Sequence, residues 1–418
     1  MGKTILFVGG GLEAMHGIAQ ACARGHHVVV TDKNPNAPAF RLAHDTIIAS
    51  TYDVEGTRDA AIAYHRSRRP IDGVLSIGVD VPMTVAAVTS ALGLAGIKPQ
   101  SAALSADKLA MKERFAAYGV PIPWFAPVES GHALARFVAE RPETLVVKPV
   151  DSRGSRGVQR LIPGLDPYRA FDHALSQSPS GRVMVEAYLQ GPQISTESLV
   201  LDGRVHTPGF SDRNYEFLER YAPFFIENGG DLPSKLPETS RHSVHAALHR
   251  AAASMGVTDG MLKGDIVVHR GKAHVIEVAT RLSGGYFCTL EIPLNTGVDF
   301  VGTVMDWALG ERVDPARLEP TRNMPVCQRY AFLDPGRVTS VRGLDAARRL
   351  PGVEEIVVYV GPGDMIRTPT DTTARAAMVV TTGKTRREAH ANAQAALAAL
   401  WIETEPFSAA LEAKLAAP

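Results

Sequence analysis

The chain has 418 residues, of which 45% are hydrophobic and 21% are charged. This length corresponds to roughly two to four domains, and the composition predicts packed cores and excludes a disordered chain. The 44 basic residues balance the 44 acidic residues, so no overall charge draws the chain to nucleic acid, and we predict no nucleic-acid partner.

The cysteines and the hydrophobic runs indicate a cytoplasmic protein. Cys22, Cys288 and Cys327 are odd in number and far apart, which argues against a disulfide framework or a structural zinc site. The apolar run at residues 4–8 is too short for a signal peptide, and no other run approaches the ~20 apolar residues of a membrane span. We therefore expect a cytoplasmic location and no membrane partner.

The first hundred residues alternate short β-branched runs with alanine-rich stretches. This pattern predicts strands at residues 5–8, 28–31 and 73–76 and helices at 12–24 and 82–92. Such alternation is typical of parallel βαβ units, and therefore of an α/β domain.

A run of three glycines, residues 9–11, separates the first strand from the first helix. Its N–H groups could hold a phosphate, and Asp32 ends the next strand where dinucleotide folds place a ribose-binding carboxylate. However, Ala14 stands at the third glycine position of G-x-G-x-x-G. The pattern favours a Rossmann-like scaffold without a nucleotide over a nicotinamide site.

After about residue 100, strands and helices mix in an α+β arrangement. One helix is predicted at residues 105–118, with Ser105 as its cap. The last part of the chain combines strands at 328–332 and 376–382 with a helix that begins at a capping box, Thr385 to Glu388.

A strand that contains a lysine precedes a flexible basic loop. Lys148 lies in the apolar run 145–150, where an ammonium group is costly unless it meets an anion. The loop at 151–157 is rich in Gly, Ser and Arg, whose N–H groups suit a polyphosphate. The alternative is an edge-strand lysine that reaches solvent beside an ordinary turn.

A second apolar strand, residues 183–187, leads into a short linker. The crossing from strand to linker at residues 186–189 offers an apolar surface with backbone donors and acceptors, as an adenine requires. Taken alone, this segment is more typical of hydrophobic core.

Two further apolar strands flank a glycine turn, and each carries one carboxylate, Asp265 and Glu277. A three-residue hairpin loop would place these carboxylates directly opposite each other, which favours a divalent cation between them. A two-residue loop would instead place them on opposite faces as unrelated charges. Lys263 and Arg281 add positive charge nearby, and this combination favours catalysis.

In this order, the elements resemble the ATP-grasp superfamily, and most closely its carboxylate–amine ligases of the L-amino-acid ligase type. Segments 34–39, 106–112 and 119–123 contribute to the resemblance, which extends from residue 5 to about residue 403. It implies an ATP-grasp fold that combines α/β and α+β structure. The implied domains are a Rossmann-like pre-ATP-grasp domain (1–100), an ATP-grasp N-terminal lobe (101–185), a C-terminal lobe with the metal site (186–325) and a C-terminal α+β domain (326–418).

The resemblance implies a role for each site residue. Lys108 and Lys148 would contact the α- and β-phosphates of ATP. Lys263 and Arg281 would be catalytic and would neutralise the transferring phosphoryl group. The other implied residues are the loop residues Ser152, Arg153, Gly154, Ser155 and Gly157, the adenine contacts Glu186, Ala187, Tyr188 and Leu189, the ribose contact Gln193, the Mg²⁺ ligands Asp265 and Glu277, and the substrate loop Ser283, Gly284 and Gly285.

The metal site departs from the family pattern at one position. The family commonly reads E-x-N-P-R where this chain has Glu277 to Arg281, so Ala279 replaces the Asn that completes the shell of a second metal ion. Thr280, water or a bidentate Glu277 could compensate. One or two Mg²⁺ ions are therefore expected, with Mn²⁺ as an alternative ion.

The resemblance implies an ATP-dependent ligase that activates a small carboxylate, expected to be an amino acid, as an acyl-phosphate and joins it to an amine, with release of ADP and phosphate. Two alternatives stay open. One is a purine-pathway-like carboxylase or bicarbonate-activating enzyme, and the other is a non-catalytic nucleotide-binding regulator in which Ala279 marks lost catalysis. The partners implied are the small-molecule substrates and a second copy of the chain in a homodimer.

Overall fold

The structure, a computed structural model, describes residues 2–407. The strands, numbered in chain order, are β1 (Thr4–Val8), β2 (His27–Asp32), β3 (Asp45–Ile48), β4 (Gly73–Leu75), β5 (Phe125–Val128), β6 (Leu145–Pro149), β7 (Gln159–Arg160), β8 (Val183–Ala187), β9 (Gln193–Leu201), β10 (Arg204–Arg213), β11 (Gly230–Leu232), β12 (Gly260–His269), β13 (Lys272–Ala279), β14 (Val326–Ala331), β15 (Gly336–Arg342), β16 (Val353–Val358), β17 (Met365–Ile366), β18 (Ala377–Thr382) and β19 (Trp401–Glu405).

The α-helices are α1 (Met15–Ala23), α2 (Val54–Ser67), α3 (Pro82–Leu92), α4 (Pro99–Ala106), α5 (Lys108–Ala117), α6 (Gly131–Glu140), α7 (Pro167–Ser176), α8 (Glu238–Ser254), α9 (Ile292–Thr296), α10 (Phe300–Ala308), α11 (Leu344–Arg348) and α12 (Arg386–Ala399). Within the described residues, no helix is both long enough and apolar enough to span a bilayer.

The described chain forms two compact units, each assembled from three segments. Unit 1 comprises the chain up to Pro123, Leu189–Phe210 and Lys235–Asn323. Unit 2 comprises Trp124–Tyr188, Ser211–Ser234 and the chain from Met324 onward. The division into four domains stays a prediction.

Unit 1 begins with a parallel sheet in the order β3-β2-β1-β4, which confirms the predicted βαβ alternation. Gly10 N–H donates to the Asp32 carboxylate at 3.0 Å, and Asn34 N–H donates to its other oxygen at 2.9 Å. A Cβ at Gly10 would lie 2.9 Å from the Cβ of Ala37. The Asp32 carboxylate therefore accepts two N–H groups of this domain, those of Gly10 and Asn34.

The helix predicted at residues 105–118 corresponds to α5, which begins at Lys108, and Ser105 belongs to the preceding helix α4. The Asp107 side chain caps α5 by accepting the Ala110 N–H at 2.9 Å. Ser105 lies in the last turn of α4 and donates to the Ala102 carbonyl. The expectation of a Ser105 cap was therefore wrong, because an aspartate two residues later makes the capping bond.

The second sheet of unit 1 contains β13, β12 and β9 in that order, followed by the first part of β10. Its hairpin between β12 and β13 has a two-residue loop, since His269 pairs with Lys272. Arg270 and Gly271 both have positive φ, of 50° and 77°, as a type I′ turn requires. Of the two loop lengths considered from the sequence, the structure therefore has the two-residue one.

The predicted pairing of the two carboxylates is nevertheless present. Ile266 pairs with Val275, whereas Asp265 pairs with Glu277, so Ile276 is an extra residue in a β-bulge. The bulge restores the register that a two-residue loop alone would have shifted.

Unit 2 contains an antiparallel sheet in the order β5-β8-β6-β7 and a series of paired strands β11-β14-β18-β16. Helix α12 follows β18, and its predicted cap is confirmed. Thr385 Oγ1 accepts the Glu388 N–H at 3.1 Å, and the Glu388 carboxylate accepts the Lys384 N–H at 2.8 Å.

Candidate active site

In unit 2, the buried lysine of β6 pairs with the glutamate of β8. Lys148 Nζ lies 2.5 Å from Glu186 Oε1, and each side chain is only 5% exposed. The two strands are hydrogen-bonded neighbours, with Lys148 opposite Met184. The sequence predicted an anion beside the Lys148 ammonium, and in the protein Glu186 is such an anion.

The backbone of the basic loop at 151–157 is left-handed at three positions. Gly154, Ser155 and Gly157 have φ values of 62°, 61° and 75°, which glycine adopts freely and a residue with a side chain, such as Ser155, adopts rarely. Thr372 donates to the Gly154 carbonyl twice, from its backbone N–H at 3.2 Å and from its hydroxyl at 3.1 Å. Within unit 2, the loop is thus clasped by the short 3₁₀ helix at Thr372–Ala374.

The linker after β8 has fewer backbone donors than the sequence suggested. The Ala187 N–H donates to the Trp124 carbonyl and the Tyr188 N–H to the Thr144 carbonyl, both at 2.8 Å. A donor for an adenine edge would therefore come from Leu189, the residue at which the chain enters unit 1.

In unit 1, the opposed carboxylates of the hairpin are each accompanied by a lysine. Lys263 Nζ donates to the Asp265 carboxylate, and Lys108 Nζ lies 3.5 Å from Glu277 Oε2. Lys108 is the first residue of α5. Four residues that the sequence singled out separately thus lie in one group.

Arg281 follows β13 and lies against a further acid. Its Nε is 3.4 Å from Asp80 Oδ1. Burial opposes the charge of this guanidinium, but the carboxylates of Asp80 and Glu197 raise its pKa above the ordinary value. Ser283, at the start of the predicted substrate loop, donates its N–H to Glu197 Oε1 at 3.1 Å.

Asp80 and Glu197 were not recognised in the sequence. Asp80 follows β4, at the carboxyl edge of the parallel sheet, where α/β folds place ligand-binding residues. Glu197 lies inside the strand β9, as Asp265 lies inside β12, but its neighbours are Thr196 and Ser198. Both signals were present in the sequence.

The donor set fits a magnesium ion. Two opposed carboxylates of β12 and β13 offer the hard oxygen ligands that Mg²⁺ prefers, and Mg²⁺ usually completes its shell with water and substrate phosphates. No cluster of three or more His, Cys, Asp or Glu residues suited to a metal occurs in the described part of the chain. The set therefore suits Mg²⁺ better than a fully protein-ligated ion.

The position of the missing Asn is occupied by Ala279, which pairs with Lys263 in the hairpin. Thr280, one of the possible substitutes, is buried, and its hydroxyl lies 2.9 Å from the Ser105 hydroxyl. This contact turns Thr280 toward α4.

Family models match two parts of this chain. A model of the ATP-grasp domain matches residues 105–285, and a model of the L-amino acid ligase C-terminal domain 2 matches residues 329–405. The first match contains all the site residues of unit 1 except Asp80.

Individual proteins also resemble this chain, over about half of its length or more. A D-alanine–D-alanine ligase of Gloeobacter violaceus is 30% identical over 213 residues, which are 48% of this chain and 67% of that enzyme. A formate-dependent phosphoribosylglycinamide formyltransferase of Burkholderia cenocepacia is 24% identical over 90% of this chain and 89% of its own length. The crystal structure of an L-amino acid ligase from Bacillus licheniformis has the same fold, with a TM-score of 0.79 at 19% identity, over 96% of this chain and 99% of that one. The chain belongs to the ATP-grasp superfamily and is an ATP-dependent enzyme of its carboxylate–amine ligase class.

Proposed function

We propose that this enzyme activates an amino acid at its carboxylate and joins it to an amine. The observation that carries the proposal is the group in unit 1, where Asp265 and Glu277 oppose each other beside Lys108, Lys263 and Arg281. Opposed acids surrounded by bases suit the transfer of a phosphoryl group from a metal-bound nucleotide.

The chemistry follows from the poor reactivity of a carboxylate. Its negative charge repels a nucleophile, and oxide is a poor leaving group. ATP supplies a phosphoryl group that converts the carboxylate into an acyl-phosphate, with release of ADP. The amine then attacks the acyl carbon, the C–O bond to phosphate breaks, and phosphate leaves as the C–N bond forms.

The nucleotide contacts in unit 2 are Lys148, the loop at 151–157 and the strand that carries Glu186. Lys148 would exchange part of its contact with Glu186 for phosphate oxygens, while the loop N–H groups and Arg153 cover the phosphates. In unit 1, Lys108 would contact phosphate, Leu189 would donate to adenine, and Gln193 would contact the ribose.

Asp265 and Glu277 would hold Mg²⁺, which supplies charge neutralisation on the phosphates. Lys263 orients Asp265 by the hydrogen bond between them. Arg281 would stabilise the charge that develops on the transferred phosphoryl group. The turn Ser283–Gly285 would border the activated carboxylate, because it directly follows Arg281. Mn²⁺ is expected to replace Mg²⁺ with similar ligands.

An amino-acid substrate is supported by the match of residues 329–405 to an L-amino acid ligase C-terminal domain. The D-alanine–D-alanine ligase relative also acts on an amino acid, as its name states. We further propose a homodimer in the cytoplasm, without nucleic-acid or membrane partners.

A second candidate is a formate- or bicarbonate-activating enzyme with a phosphoribosylated amine as acceptor. The formyltransferase relative favours it, because the similarity extends over 90% of this chain. The match of residues 329–405 to an L-amino acid ligase C-terminal domain argues against this second candidate.

A matrix of carboxylates against amines tests the proposal. Purified enzyme with ATP and Mg²⁺ is incubated with pairs of amino acids, and with formate or bicarbonate together with phosphoribosylglycinamide. Phosphate release is measured, and product masses are determined. Phosphate release with formation of a dipeptide supports the proposal, whereas turnover only with formate or bicarbonate establishes the second candidate.

A further inference from the structure

Unit 1 encloses a carboxylate that is completely buried. Glu197 has 0% exposure and lies opposite Lys263 in the sheet. A Cβ at Gly209, in the neighbouring strand β10, would lie 2.8 Å from the Cβ of Glu197. The fold therefore leaves space for an acid whose burial is unfavourable.

The Glu197 carboxylate interacts with two residues of the segment 281–283, Ser283 and Arg281. Its Oε1 accepts the N–H of Ser283 at 3.1 Å, and its charge attracts Arg281 most strongly, followed by Lys263. Its Oε2 is buried without a hydrogen-bond partner. One carboxylate thus fixes the backbone of the substrate loop and faces the guanidinium two residues earlier.

Among the described residues, Cys288 also faces this carboxylate, while Asp80 faces Arg281 and Glu13 faces Cys288. The Cys288 thiol donates to the Ser283 carbonyl at 3.1 Å. Burial raises the pKa of this thiol well above the ordinary value, and the charge of Glu13 raises it further. Asp80 contacts Arg281. Burial raises the pKa of Glu197 to about 7, although Ser283, Arg281 and Lys263 favour its charged form.

We infer that Glu197 is a positioning residue, whose ionised carboxylate holds Arg281 and the turn Ser283–Gly285 in the orientation that phosphoryl transfer requires. The inference rests on the proposed function, because that function places Arg281 at the transferred phosphoryl group. Glu197 itself is fully buried, so it acts on the reaction through Arg281 and this turn.

This role has opposite consequences for rate and for stability. The folded-state pKa lies above the value of 4.5 for an exposed glutamate, so the protonated form is favoured in the fold. The fold therefore loses stability as pH rises from about 4.5 to about 7, and the loss is complete above that range. Turnover rises over the upper part of this range, because only the ionised acid orients Arg281.

The test uses Glu197→Gln, which keeps an oxygen acceptor for the Ser283 N–H and removes the charge. The matched control is Asp306→Asn. Asp306 is also buried, but it pairs with Arg24 at 2.5 Å and Arg317 at 2.8 Å, away from the site residues. Melting temperature and kcat are measured from pH 5.5 to pH 9 for the wild type and both variants.

We expect Glu197→Gln to lower kcat at pH 8.5 at least 10-fold, to lose the fall in rate below pH 7, and to melt at a higher temperature than the wild type at pH 8.5. Asp306→Asn should melt at a lower temperature and keep the wild-type rate and pH profile. A Glu197→Gln variant with a normal rate, with an unchanged pH profile, or with a lower melting temperature at pH 8.5 would overturn the inference.

A double-mutant cycle separates this inference from the proposed function. Urea unfolding at pH 8.5 is compared for the wild type, Glu197→Gln, Arg281→Met and the double variant. Arg281→Met should lower the unfolding midpoint much more in the wild type than in Glu197→Gln, because it leaves Glu197 without its main counter-charge. Equal shifts in both backgrounds reject the positioning role even if ligase activity is found. If no amino-acid pair releases phosphate, the proposed function fails and the cycle still decides the positioning role.

Discussion

The two units arrange their charged residues in different ways. In unit 2, Lys148 and Glu186 form a close pair on neighbouring strands. In unit 1, the basic groups are outnumbered: Lys108, Lys263 and Arg281 face Asp80, Glu197, Asp265 and Glu277. Lys148 has one close carboxylate as its partner, whereas Asp265 and Glu277 oppose each other and offer oxygen ligands to a divalent cation. We therefore expect variants in unit 1 to affect turnover first, and variants of the pair in unit 2 to affect both the fold and nucleotide binding.

The largest expected effect is that of Arg281→Ala on turnover. Loss of an arginine that stabilises phosphoryl charge lowers kcat by about 10³-fold. The increase in melting temperature caused by ATP should persist, because the nucleotide contacts of unit 2 are intact. Arg281→Lys should recover only part of the rate, since an ammonium cannot reproduce a bidentate fork. If Arg281→Ala keeps a normal kcat, or if it abolishes the stabilisation by ATP, the contrast between the units is wrong.

Next in size is the effect of Lys148→Met on stability. It leaves the Glu186 carboxylate buried without its ammonium, which costs about 3–5 kcal/mol. It should also remove most of the stabilisation by ATP, which is about 2.7 kcal/mol at 100 times the dissociation constant.

The double variant Lys148→Met with Glu186→Gln is the control. Urea unfolding with and without ATP should show recovered stability but no recovered response to ATP. A double variant that still responds fully to ATP would remove Lys148 from the nucleotide site.

Substitution of the two carboxylates comes third. Glu277→Gln should lower turnover by about 10²-fold, because the loss of an anionic ligand weakens metal-assisted charge stabilisation by several kcal/mol. Asp265→Asn should be milder, since a bidentate Glu277 is one of the expected substitutes for the missing Asn, whereas Asp265 is not. The measurement is kcat as a function of Mg²⁺ concentration. Near-normal turnover of Glu277→Gln at low Mg²⁺ would contradict the assignment.

The smallest expected effect concerns the clasp on the loop at 151–157. Thr372→Val removes the hydroxyl donor to Gly154 and costs about 1 kcal/mol, so ATP should bind about 5-fold more weakly to a loop that is less ordered beforehand. Thr373→Val is the control, because its hydroxyl donates to Asp371 and not to the loop. Titration calorimetry with ATP compares the two variants, and equal affinities would exclude a role for the clasp.

Much of this organisation could be predicted from residue patterns. Acidic residues within apolar strands identified Asp265 and Glu277, and the βαβ alternation identified the parallel sheet. Glu197 also lies inside a strand but was overlooked, because it lies among Ser and Thr in β9 and so resembles an ordinary polar position. The Lys148–Glu186 pair depends on which strands are neighbours, and the sequence of one strand does not contain that information.

The β-bulge at Ile276 has a consequence for protein engineering. It resets the alternation of faces between the turn at Arg270 and Gly271 and the carboxylates at the far end of the hairpin. Any other two-residue turn of the same type should therefore be tolerated without disturbing the active site. Deletion of Ile276 would remove the bulge and place Glu277 directly after Val275, so that Glu277 would still lie opposite Asp265. The register at the two carboxylates is thus set inside the strand and not by the turn. The hairpin tip is therefore a suitable place for replacing or labelling residues.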